Sequence, residues 1–137
     1  MDANDKIAQL SDYWAQAAQA DWETAYSIFD RANEFSASLF FLHLAFEKLL
    51  KSLVVQKTKN HAPYSHNLLV LLERSTLSLP EDAVVLLSEI NDFNMAGRYP
   101  RDKDVFKRKA TREFAEHYFR QGREVWNLIL QASDQKP

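Results

Sequence analysis

The segment Phe35–Val55, FSASLFFLHLAFEKLLKSLVV, restricts the fold of this chain more than any other part of the sequence. Its apolar residues recur every three or four positions, which is the spacing of one face of an α-helix; they are Phe35, Leu39, Leu42, Phe46, Leu49 and Leu53. Apolar surface continues around the other sides, at Phe40, Phe41, Leu44, Leu50 and Val54. A helix that is apolar on nearly every side needs neighbours all around it. The segment therefore predicts the central helix of a helical bundle.

The composition limits the class of protein to which the chain can belong. Its 137 residues, 46% hydrophobic and 26% charged, suit one globular domain with a real core. The formal net charge of -2 excludes a globally basic nucleic-acid binder, although a local basic patch remains open. The absence of cysteine excludes disulfides, thiolate catalysis and cysteine-ligated zinc.

The cellular location is predicted from two further features. No apolar run reaches the roughly 18 to 20 uncharged residues that a membrane span needs. The N-terminal sequence MDANDKIAQ is acidic and polar, unlike a secretory signal. We therefore expect a cytoplasmic protein with no membrane partner.

Helical periodicity and capping signals divide the rest of the chain. A first helix is predicted from Asp5 to about Arg31, and a short helix follows Ser65, which we interpret as its N-cap. A further helix opens at Pro80 and ends near Gly97, interpreted as a left-handed C′ residue. We expect 98–104 to be a surface loop.

The last helix is expected to begin after Thr111, and the tail is polar. The predicted fold class is all-α, an up-and-down four-helix bundle with an additional short helix. One domain covers residues 1–132, and 133–137 form a polar C-terminal tail.

Three stretches carry a resemblance to a known family. They are AQADWETA (18–25), LFFLHLAFEKLLKSLVV (39–55), and the pair SHNL (65–68) and AGRYP (96–100). In this order they resemble the signature segments of the HEPN domain, a helical family found beside nucleotidyltransferases. The resemblance implies a HEPN-like bundle that forms a two-fold homodimer, a nucleotide or RNA ligand, and a minimal nucleotidyltransferase as partner in a toxin–antitoxin module. We predict no cofactor.

Active members of that family are metal-independent ribonucleases that use an arginine, four to six intervening residues and a histidine. Arg98 is the natural candidate for the arginine, but the positions expected to hold histidine are Lys103, Asp104 and Val105. Arg112 and His117 do have the required spacing. On a helix, residues five apart point about 140° away from each other, so these two would have to act from different chains of a dimer.

The sequence therefore leaves enzymatic activity undecided and favours a binding module without a complete ribonuclease motif. The alternative is an endoribonuclease toxin that uses Arg112 and His117, or Arg98, across a dimer cleft. Its catalytic residues stay unknown beyond these candidates.

The candidates for nucleotide or phosphate binding are basic or aromatic residues near the family signals: Arg98, Tyr99, Arg101, His66, Lys48 and Lys51. The cationic run from Arg98 to Arg112 is either a phosphate-binding surface or a solvated loop. His43 and Glu47 share a helix face as metal ligands often do, but a polar notch at a bundle or dimer interface is the favoured explanation, and we predict no metal site. Trp14, Trp22 and Trp126 are expected in the core or at a dimer interface.

Overall fold

A computed structural model describes residues 2–134 and shows six α-helices, with no strand within that range. A π-helical turn, Ile28–Ala32, continues the first helix. The helices are α1 Ala3–Ser27, α2 Phe35–Thr58, α3 Leu68–Ser75, α4 Glu81–Asn91, α5 Pro100–Lys109 and α6 Arg112–Asp134. The predicted all-α bundle is confirmed.

Helix α2 is the centre of the bundle, as its apolar pattern predicted. It packs along α1 and also contacts α3, α4, α5 and α6. Fourteen of its 24 residues are buried, so most of its apolar surface is covered by neighbouring helices. Its large apolar residues that stay half-buried are Phe35, Phe40, Phe41 and Leu44. Coverage of this remaining surface by a second copy of the chain stays a prediction.

Aromatic rings connect α1, α2 and α6 in the core. The rings of Trp22 and Trp126 lie 5.0 Å apart, and Phe46 packs edge-on against Trp126 at 5.2 Å. Trp22 and Trp126 are therefore core residues, as expected. Trp14 is only half-buried and lies beneath the ammonium group of Lys51.

The expectation that 98–104 is a loop is wrong, because Pro100 begins α5. Proline suits the first position of a helix, where its missing N–H has no partner to lose. Phe106 anchors the helix by stacking on Phe93, with ring centroids 5.3 Å apart. Phe106 is the one buried residue of this mostly charged helix, so the sequence has no apolar period that would indicate a helix here.

Two capping predictions are also wrong. Asn67, not Ser65, is the N-cap of α3: its side-chain oxygen accepts from the N–H groups of Leu69 and Val70, whereas Ser65 accepts from the N–H of Asn67. Helix α4 ends at Asn91, so Gly97, with φ of 76°, belongs to the turn before α5 rather than to the α4 terminus.

The predicted start of the last helix is confirmed. Thr111 caps α6 by accepting from the N–H of Phe114, and α6 continues to Asp134. The predicted polar tail lies partly beyond this point, with 135–137 outside the described residues. Within residues 2–134, no helix is both long enough and apolar enough to cross a membrane.

Candidate functional site

The six candidate binding residues fall into two separate groups in the structure. Arg98, Tyr99 and Arg101 lie where the chain enters α5, and all three are exposed. The other three are Lys48 and Lys51 of α2, which contact α1, and His66 of the loop before α3, which contacts α2. The two groups differ in what their charged atoms contact.

The cationic segment, defined as Arg98–Lys109, carries six basic and two acidic residues, a net charge of +4 in a chain whose total is -2. None of its basic side chains forms an ion pair with a carboxylate within residues 2–134. Tyr99 is 78% exposed at its start. The segment therefore presents unneutralised positive charge to the solvent.

The second group is built around Glu47, whose carboxylate is only 4% exposed. Its Oε2 accepts from the Lys51 ammonium at 3.0 Å, and its Oε1 accepts from Nδ1 of His66 at 2.9 Å. Lys51 also lies over the ring of Trp14, 5.1 Å from its centroid. These charges are thus compensated inside the protein. We call His43, Glu47, Lys51 and His66 the α2 polar cluster.

His43 completes this cluster from the same helix. It is fully buried, and its Nε2 lies 2.9 Å from the carbonyl oxygen of His66, so Nε2 carries the proton and donates. Its Nδ1 is buried and makes no hydrogen bond. Burial lowers the pKa of His43 below its ordinary value of 6.5, which favours the neutral ring. The described residues contain no group of three or more carboxylate or histidine side chains placed to hold a metal ion.

Residues of the SHNL segment (65–68) form hydrogen bonds that hold the loop before α3 in place. The side chain of His66 binds Glu47 and its carbonyl binds His43, Asn67 caps α3, and the N–H of Leu68 donates to Asn91 at 2.9 Å. The segment therefore fastens the loop and α3 to α2. Lys48, for its part, pairs with Asp21 of α1 at 2.7 Å.

The two candidate ribonuclease residues are both exposed near the start of α6. Arg112 donates to Asn33 and its guanidinium lies over the ring of Phe35, 5.1 Å from the centroid. The ring of His117 packs beside Tyr118. Five positions separate the two residues on a regular helix, so they point in different directions within one protomer.

Burial also affects Tyr118, the residue after His117 on α6. Its hydroxyl donates to Glu89 at 3.1 Å, and burial together with that carboxylate raises the pKa of Tyr118 to about 12. The hydroxyl therefore stays protonated at neutral pH and ties α6 to α4.

One surface was missed at the level of sequence: a groove of about 830 Å³ between α1 and α6. We call it the α1/α6 groove. Its lining combines aromatic and charged side chains: Gln19, Trp22, Glu23, Tyr26, Ser27, Phe29, Asp30, Arg31, Arg112, Glu116, Phe119, Arg120 and Arg123. The two helices that form its walls are far apart in sequence. The lining residues on each helix are spaced by three and four positions, which is equally typical of residues facing a core, so the sequence did not distinguish the groove from the core.

Comparison with known proteins identifies the fold and the family. No curated protein sequence matches the chain. The crystal structure of TT1696 from Thermus thermophilus is similar, with a TM-score of 0.73 at 20% identity over 89% of this chain and 97% of that one. This similarity shows a common fold. The HEPN domain model matches residues 11–132, which is most of the chain. The chain therefore belongs to the HEPN family.

Proposed function

We propose that this protein is a nucleotide- or RNA-binding and interaction module that contacts phosphate through its cationic segment. The observation that carries the proposal is the net charge of +4 on Arg98–Lys109, without ion-pair partners within residues 2–134, in a chain that is otherwise acidic. When lysine and arginine side chains neutralise phosphates, the counterions condensed on the nucleic acid are released, which favours binding.

The residues proposed to contact the ligand are Arg98, Tyr99 and Arg101. The exposed ring of Tyr99 offers a face on which a base can stack, and two arginines flank it in sequence. Lys48, Lys51 and His66 are each bound to a carboxylate, so the proposal does not depend on them.

We further propose a homodimer that acts with a minimal nucleotidyltransferase, as in a toxin–antitoxin module. Membership of the HEPN family supports this assignment, together with the half-buried apolar residues left on α2. Copurification of a nucleotidyltransferase encoded beside this protein would support the partner. A monomer at micromolar concentration, measured by light scattering, would contradict the dimer.

The binding proposal is tested by fluorescence anisotropy with a labelled oligouridine of about ten nucleotides. We expect wild-type protein to bind it, and Arg98→Gln combined with Arg101→Gln to weaken the binding. The matched control combines Lys57→Gln with Arg74→Gln, which removes two exposed positive charges elsewhere. Equal loss in both variants would show that net charge, not the segment, is responsible.

A second candidate function is an endoribonuclease that uses Arg112 and His117. It is favoured by one observation: the pair has the required spacing at the exposed start of the last helix. Purified protein should then cleave RNA without added metal, and His117→Ala should abolish cleavage. His61→Ala, in an exposed loop, is the control. Intact RNA after incubation with wild-type protein would reject this activity.

A further inference from the structure

The α1/α6 groove is a concave surface of the described chain that neither the cationic segment nor the α2 polar cluster explains. Both of its walls pack on α2, and between them the groove is open to solvent. A volume of about 830 Å³ lies in the range of small-molecule sites.

The floor of the groove is aromatic. Trp22, Phe29 and Phe119 are each more than nine-tenths buried there, and the rings of Phe29 and Phe119 are 5.0 Å apart. Tyr26 stands above them as a wall, edge-on to Phe119 at 5.8 Å and 48% exposed. A planar ligand entering the groove would therefore meet the exposed part of the Tyr26 side chain.

Two arginines lie at the ends of this floor. The guanidinium of Arg123 is stacked 4.4 Å from the centroid of Trp22, and that of Arg112 lies over Phe29 at 5.7 Å. Eleven residues on α6 correspond to about three turns, so both side chains project from one face, about 16 Å apart. Neither arginine forms an ion pair within residues 2–134. A guanidinium that lies over an aromatic ring keeps its other face for a base, and the N–H groups of Arg123, together with those of Arg112 that do not bind Asn33, remain for a phosphate.

The carboxylates on the rim limit what the groove can accept. Glu116 is paired with Arg120 at 3.0 Å, and Glu23 accepts from Gln19, while Asp30 remains beside Arg31 in sequence. These negative charges would repel a long run of phosphates lying in the groove. They would tolerate an uncharged base, whose amino groups can donate to them.

We infer that the α1/α6 groove holds the base of one nucleotide unit against Tyr26 and Arg123, with the attached phosphate directed to a groove arginine. The inference rests on the proposed function and adds a second contact, distinct from the cationic segment. The nucleotide unit belongs to single-stranded RNA or is a free nucleotide, since both present the same base and phosphate.

The test separates base contact from phosphate contact. The affinity of wild-type protein and of Tyr26→Ala is measured for an oligouridine and for an abasic oligonucleotide of the same length. We expect Tyr26→Ala to weaken oligouridine binding by about 5- to 100-fold, the usual effect of losing one stacked base, and to leave abasic binding unchanged. Tyr26→Phe should bind like wild type, because the ring is kept.

Tyr13→Ala is the matched control, because Tyr13 is an exposed tyrosine on α1 that does not line the groove. Arg123→Gln supplies a second variant in case Tyr26→Ala unfolds, and it should also weaken oligouridine binding. Uridine monophosphate is then added as a competitor of oligouridine to identify the source of the nucleotide unit. If it competes for wild-type protein but not for Tyr26→Ala, the groove binds a free nucleotide. If it does not compete for wild-type protein, the groove binds RNA.

The outcomes distinguish this inference from the proposed function. If the cationic-segment variant loses affinity while Tyr26→Ala and Arg123→Gln bind like wild type, the groove assignment is overturned and the proposed function stands. If wild-type protein binds neither oligouridine nor the mononucleotide, the proposed function fails and the inference fails with it. If Tyr26→Ala weakens abasic binding equally, no base is stacked there and the inference is overturned.

Discussion

Two groups of basic residues in this molecule look alike in sequence and differ in structure. In the α2 polar cluster, Lys51 and His66 share the buried carboxylate of Glu47, and nearby Lys48 binds Asp21. In the cationic segment, six basic side chains have no ion-pair partner within residues 2–134. A basic residue therefore suggests ligand binding only when no carboxylate of the protein already neutralises it. Substitutions in the α2 polar cluster should therefore reduce stability, whereas substitutions in the cationic segment should reduce ligand binding.

The largest effect on stability is expected from Glu47→Gln. The change leaves the Lys51 ammonium, 6% exposed, without its compensating charge, and breaking a buried ion pair in this way costs about 3–5 kcal/mol. Urea unfolding measures the decrease in the free energy of unfolding. Glu116→Gln is the control, because its pair with Arg120 is exposed and contributes less than about 1 kcal/mol. Equal decreases in both variants would contradict a structural role for the cluster.

His43 should make the stability of the protein depend on pH, with a smaller effect. Its pKa is lowered in the folded state, so the unfolded chain binds the proton more readily. The stability contributed by neutral His43 is present above its ordinary pKa of 6.5 and is lost as the pH falls below that value. Glu47, Lys51 and His66 also face this site and influence the proton equilibrium.

The pH effect is measured as the difference in free energy of unfolding between pH 7 and pH 5. We expect wild-type protein to lose more of this free energy than His43→Gln, in which the titrating ring is absent. Identical pH dependence in the two proteins would show that His43 is not responsible.

A smaller effect again is expected for Lys48→Gln. Its ion pair with Asp21 is partly exposed, so its removal should destabilise the protein by about 1 kcal/mol or less. Thermal unfolding at low and high salt measures it, since salt screens such a pair. A salt-independent destabilisation would indicate that packing of the lysine stem, rather than charge, is affected.

The smallest effect on stability is expected in the cationic segment. Lys107→Gln combined with Arg108→Gln should change the free energy of unfolding by less than about 0.5 kcal/mol, because both side chains are exposed and form no ion pair within residues 2–134. The same denaturant titration applies. A decrease as large as that of Glu47→Gln would reverse the comparison between the two regions.

The sequence predicted some helices and not others, for a physical reason. The central helix was predicted because its apolar residues repeat with the helical period. Helix α5 was not, because Phe106 is its one buried residue and the rest of the helix is mostly charged, so no apolar period marks it. Asn67 and Ser65 are both good caps, and only the structure shows which one faces the first N–H groups of α3.

The candidate sites were harder to predict because function depends on contacts between distant parts of the chain. His66 and Glu47 are 19 residues apart, so the sequence gave no indication that the histidine is bound to a carboxylate. The α1/α6 groove likewise joins two helices separated by most of the chain. The cationic segment could be recognised from charge alone, since its basic residues lie close together in the sequence.

The most direct test of the central claim is the salt dependence of oligouridine binding. For wild-type protein, the logarithm of affinity should fall linearly with the logarithm of salt concentration. Arg98→Gln combined with Arg101→Gln should make this slope shallower by about two, because each substitution removes one cation that is proposed to pair with a phosphate. Lys48→Gln should leave the slope unchanged. If Lys48→Gln reduces the slope as much as the cationic-segment variant does, or if neither changes it, the assignment of phosphate binding to Arg98–Lys109 is wrong.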